Sequence, residues 1–120
     1  MFVLDTNTVI YFFKGMGGVS ERLLATSPAE VALPAVVLYE LETGIAKSSQ
    51  PSRRRRQLDA LVAALRVLPF GQPEARAAAS IRAILETAGT PIGPLDNLIA
   101  GTTVAHRGVL VTRNTTEFGR

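Results

Sequence analysis

Four short apolar runs punctuate the chain: "FVL" from Phe2, "EVALP" ending at Pro34, "RVLPF" ending at Phe70 and "GVLVT" ending at Thr112. Each is too short for a helix and carries no polar alternation, which is the signature of a strand covered on both faces. The stretches between them show helical spacing instead. Strands that alternate with helices build a parallel sheet with helices on its two sides, because a parallel pair requires a long crossover. This single pattern restricts the chain to an α/β sandwich with a mainly parallel central sheet. At 120 residues and 47% hydrophobic content, it is expected to form one domain over residues 1–120.

The helices follow from caps and periodicity. Asn7 or Thr6 is expected to cap a helix through Thr8 to about Lys14, ahead of the loop "GMGG". A short helical stretch is expected near Glu21 to Ala25, and Pro34 suits the opening of a helix towards Gly44. From Ser52 to Leu65, Leu58, Leu61, Val62 and Leu65 recur at spacings of three and four, giving one apolar face on a helix entered through Arg53 to Arg56. From Pro73 to about Ala88, the expected stripe is Ala77, Ile81, Ile84, Leu85 and Ala88, with Gly89 at the C-terminal end. Pro94 opens a last helix through about His106.

In open parallel sheets ligands gather beyond the carboxyl ends of the strands. Asp5 follows the first strand directly, and Thr112, Arg113 and Asn114 follow the fourth. Glu40 and Asp96 lie in helices that are expected to start at the same rim. Each acid alone has an ordinary explanation: Asp5 as a turn residue, Asp96 as a third helical residue favoured by the helix dipole, and Glu117 as a solvated side chain. Periodicity does not choose between Glu40 and Glu42. Taken together, however, several of only ten acids fall where the fold brings segments together, and clustered carboxylates repel one another unless cations neutralise them.

Composition limits what such cations are. There are no cysteines and a single histidine, His106, so thiolate zinc, iron–sulfur clusters and disulfides are excluded, and oxygen ligands point to magnesium or manganese. Ser-His-Asp and Cys-His nucleophile systems are not available either, and His106 reads as a structural or surface residue without an evident partner. No apolar run approaches the ~20 residues of a membrane span, and the N-terminus lacks the basic start of a signal peptide, so a cytoplasmic location is expected. The formal charge of +3 is compatible with a polyanionic partner but does not select one. A phosphatase or receiver domain fits poorly, since the first strand ends in Asp-Thr-Asn rather than an Asp-x-Asp pair and no lysine follows the last strand.

The series "LDTN", "ELETG", "GTPIGPLDNLIAG" and "LVTRNTTEF" resembles the PIN-domain ribonucleases, and specifically the VapC toxins of bacterial type II toxin–antitoxin pairs. The resemblance spans nearly the whole chain and implies a PIN-type α/β/α sandwich. It implies that Asp5, Glu40 and Asp96 bind Mg2+ or Mn2+, with Glu117 as a further catalytic acid, and here Glu40 is preferred over Glu42. Thr6, Asn7, Thr112 and Asn114 would orient carboxylates or bound waters, and Arg53, Arg54, Arg82 and Arg113 would contact RNA phosphates. The implied activity is metal-dependent cleavage of RNA phosphodiesters to a 5′-phosphate and a 3′-hydroxyl. The implied partners are an RNA substrate, a VapB-type antitoxin and a second copy of the chain, with part of the Tyr11, Phe12 and Phe13 surface as a contact. The chain departs from the family at Asn97 and Asn114, where many relatives carry acids, which leaves a non-catalytic module binding RNA or a protein as the alternative. Relatives also usually continue into a further short strand past Gly119 and Arg120, so either the chain is shortened or that edge is built differently.

Overall fold

The computed structural model describes residues 1–16 and 18–112. Its elements run β1 (Phe2–Leu4), α1 (Thr6–Lys14), α2 (Val19–Ala25), a single 3-10 turn (Pro28–Glu30), β2 (Val31–Pro34), α3 (Ala35–Ala46), α4 (Pro51–Ala64), β3 (Arg66–Leu68), α5 (Gln72–Thr87), α6 (Pro94–Ala105) and β4 (Val109–Val111). All four expected strands form, and every pairing is parallel, in the order β3-β2-β1-β4.

That order sets the site. The chain moves outward from β1 to β2 to β3, then crosses back to lay β4 on the far side of β1. β1 is therefore the switch point, where crossovers leave in opposite directions and open a crevice at the carboxyl ends of the strands. Register pairs Leu4 with Val111, so Asp5 and Thr112 emerge side by side.

The interior strands fit their apolar sequence: Val3 and Leu4 are buried, and so are all four residues of β2. β4 does not. It was expected to be buried on both faces, but it lies at the sheet edge among the described residues, with Val109 58% exposed. Hydrophobicity separates strand from turn, whereas position in the sheet depends on crossovers that no single strand encodes. The main core joins Leu4, Val31 and Leu33 of the sheet to Val9 of α1, Val36, Val37 and Leu41 of α3, Leu58 of α4 and Ile99 of α6. Leu61, Val62 and Leu65 pack against it, in line with the expected face of α4.

Three local expectations are corrected. The cap of α1 is Asp5 rather than Thr6 or Asn7, since the Thr8 amide donates to Asp5 Oδ1 at 2.8 Å. Pro34 ends β2 and caps α3 from outside instead of opening the helix. On α5 the buried positions are Glu74 and Ala78, while Ile84 is 67% exposed. Small residues win that face because α6 comes very close: a Cβ on Gly101 would lie 2.5 Å from the Ala78 Cβ and 2.6 Å from its Cα and nitrogen.

Candidate active site

Asp5 does two jobs at the end of β1. Its Oδ1 caps α1 through the Thr8 amide, and its Oδ2 accepts from the hydroxyl of Thr112 at the end of β4. The residue is 5% exposed, and among the described residues the ion pairs are Arg55 with Glu42 and Asp59, Arg82 with Glu86, and His106 with Glu74. None involves Asp5, so among the described residues a nearly buried carboxylate is held here by neutral donors.

Glu40, in the second turn of α3, is half-buried, and its Oε1 accepts from the Thr6 hydroxyl at 2.6 Å. Thr6 follows Asp5 in the chain, which links the two acids through adjacent residues. Glu42 faces elsewhere: Arg55 of α4 forks onto both its oxygens and holds its carboxyl below the usual range. Packing thus gives the two glutamates different neighbours, Glu40 the hydroxyl of α1 and Glu42 the arginine of α4.

Asp96 occupies the first turn of α6 and is half-buried. The far end of that helix lies at the amino-terminal edge of the sheet, where Val109 N–H donates to Met1 O and Gly108 packs on Val3. A helix of 12 residues reaches about 18 Å, so its first turn lies well away from that edge. Among the described residues, however, no three acids or histidines are spaced to share one ion. Arg113, Asn114 and Glu117 lie outside the described residues.

The remaining sequence candidates divide. Thr6 and Thr112 hold acids, whereas Asn7 is exposed on the outer side of α1. Arg53 is exposed, Arg54 donates to Gln57 at 2.8 Å, and Arg82 pairs with Glu86. Arg54, Lys14 and Glu40 line one recess of about 170 Å³ between α1 and α3, floored by Ile10, Phe13 and Leu41. Phe13 packs on the core, and the Phe12 and Phe13 rings lie 6.0 Å apart, so this aromatic run is half-buried rather than laid open.

Asn97 is buried, and its amide donates to the Ala78 carbonyl of α5 at 2.9 Å. The side-chain amide of Asn97 thus links α6 to α5. His106 is corrected as well: Nε2 stands 2.8 Å from Glu74 Oε2, an ion-pair distance without the alignment of a hydrogen bond. Glu74 also accepts from the Gly71 amide at 2.7 Å, and that bond, opposed by burial and aided by His106, holds its carboxyl below the usual range. Sequence reasoning missed Glu74 and Thr8; an acid at the third helical position is the signal for Glu74.

The donor set suits a hard divalent cation. Its groups are carboxylate oxygens, the buried one lacks a basic counter-charge among the described residues, and hydroxyls fix their orientation. The PIN domain family model matches residues 2–120. The chain is 33% identical over 119 residues to the tRNA(fMet)-specific endonuclease VapC of Shigella flexneri, covering 99% of this chain and 90% of that protein. It is 31% identical over 122 residues to ribonuclease VapC2 of Rickettsia felis, covering 100% and 91%. The crystal structure of DNA-bound VapBC from Salmonella typhimurium superposes with a TM-score of 0.91 at 35% identity, covering 99% and 90%. The chain belongs to the PIN-domain family, within its VapC group.

Proposed function

We propose that this protein is a metal-dependent endoribonuclease of the VapC toxin type, held inactive by a VapB-type antitoxin. The observation that carries the reading is Asp5, a nearly buried carboxylate at the switch point whose two oxygens are held by an amide and a hydroxyl, with no cation beside it among the described residues. Asp5, Glu40 and Asp96 would hold Mg2+ or Mn2+, with Glu117 as a further acid. When bound, such an ion supplies Lewis-acid activation of water and neutralises phosphate charge. Thr6 and Thr112 keep the carboxylates turned to the rim, and Asn114 would be a further orienting group. Arg53, Arg54, Arg82 and Arg113 are the candidate phosphate contacts, of which Arg53 and Arg82 are exposed. Cleavage leaves a 5′-phosphate and a 3′-hydroxyl.

Relatives solved as VapBC complexes support the antitoxin partner, and the half-exposed apolar residues of α1 offer it or a second copy a surface. Because two relatives are named for tRNA(fMet), initiator tRNA is the first RNA to try. The test is cleavage of RNA in Mg2+ or Mn2+. Activity should vanish in excess chelator and fall more than about 100-fold in Asp5→Asn, a larger loss than removing an outer-shell partner causes. Cleavage that persists in chelator, or that the Asp5→Asn variant retains, overturns the assignment. RNA binding without measurable metal binding by calorimetry would select the non-catalytic module instead.

A further inference from the structure

Resting on that assignment of Asp5, we infer that Thr8 is a positioning residue for the site, fixing the Asp5 carboxylate from both of its oxygens. Thr8 is 1% exposed. Its backbone amide donates to Asp5 Oδ1 at 2.8 Å, and its hydroxyl donates to the Val111 carbonyl at 3.0 Å. Val111 is the last residue of β4 and the last to pair with β1, opposite Leu4. The next residue, Thr112, donates to Asp5 Oδ2.

These bonds close a ring. A carbonyl has two lone pairs, and the Val111 oxygen uses them on the Asp5 amide at 3.2 Å and on the Thr8 hydroxyl. Without the hydroxyl, the Val111 carbonyl keeps only the bond from the Asp5 amide, and the donor to Asp5 Oδ2 is the very next residue. Among the described residues β4 is the edge strand, paired on one side only, with β1. A carboxylate that must present its remaining lone pairs to a cation gains affinity when its other contacts are fixed in advance. Thr8 therefore acts through Asp5 and Thr112, which are 107 residues apart in sequence.

The hydroxyl can be removed with little structural disturbance. Thr8→Val keeps the branched shape, and the Val111 carbonyl keeps its bond from Asp5. The experiment measures Mn2+ binding directly, by paramagnetic resonance of the free ion, alongside RNA cleavage and thermal melting of the full chain. Thr8→Val should bind Mn2+ about tenfold more weakly, at the low end of the range for outer-shell partners, with its melting temperature nearly unchanged. Thr8→Ser should restore the affinity. Thr8→Ala against Thr8→Ser makes the same comparison at smaller volume and decides the question if the valine variant does not fold. Mn2+ affinity in the hydroxyl-free variant equal to that of its hydroxyl-bearing counterpart overturns the inference. If Asp5→Asn itself binds Mn2+ and cleaves RNA normally, the assignment of the site has failed; if only the Thr8 variants behave normally, the role of Thr8 alone has failed.

Discussion

The two sides of the candidate site are built by different physics. On one side, Asp5 and Glu40 are held by hydroxyls: Thr112 and Thr6 reach across the crevice, and Thr8 secures the end of β4. On the other, Asp96 rides on a helix whose position is fixed by steric contact. Gly101 and Asn97 both press α6 onto Ala78, and Glu74 with His106 ties the opposite ends of α5 and α6 together. Hydroxyl bonds orient a side chain while leaving room around it. Helix packing at glycine distance fixes a whole backbone but tolerates no added volume.

This difference makes Gly101→Ala the most damaging of three changes. The new methyl would overlap Ala78 atoms at 2.5–2.6 Å, backbone included, so the helices must separate. Overpacking of this kind costs about 1–3 kcal/mol, and urea unfolding should show it together with a loss of cleavage. Unchanged stability would mean that α6 has slack and that Asp96 is less firmly held than the packing implies.

Thr6→Val tests the other side. Stability should move by less than about 1 kcal/mol, since Glu40 is only half-buried and can turn to water, while the Mn2+ concentration for half-maximal cleavage rises about tenfold. If stability falls as it does for Gly101→Ala while metal dependence stays put, the two sides are not built differently.

The smallest effect belongs to Glu74, far from the rim. Its carboxyl is held below its ordinary value of 4.5, mainly by the Gly71 amide. A depressed carboxylate stabilises the fold above that value and loses its contribution as pH falls through the native value below it. Glu74→Gln should therefore flatten the acid limb of a melting-temperature profile below about pH 4.5. Cleavage at neutral pH should stay near that of the unsubstituted protein. A profile parallel to the unsubstituted protein's would remove Glu74 from the clamp.

The elements were legible in the sequence to within a few residues, because strand and helix are written in local periodicity and local capping. Asp5 at the end of β1 was legible for the same reason. The choice of Glu40 over Glu42 came from family resemblance, and the bonds to Thr6 and Arg55 give the two glutamates different neighbours. Two residues take their meaning from packing that sequence does not show. Asn97 looked like a missing acid and is a buried link to α5, and His106 looked unpartnered until α5 placed Glu74 beside it.

By itself, then, the sequence determined the parallel α/β layering, the absence of cysteine thiolates and the acids present at strand ends and in first turns. Only the tertiary structure decided that β4 returns to the outer side of β1, that Thr112 meets Asp5, and that Thr8 joins them. The physical reason is range: periodicity and capping act over one or two turns, whereas strand order and the bonds that close the crevice join residues more than 100 positions apart.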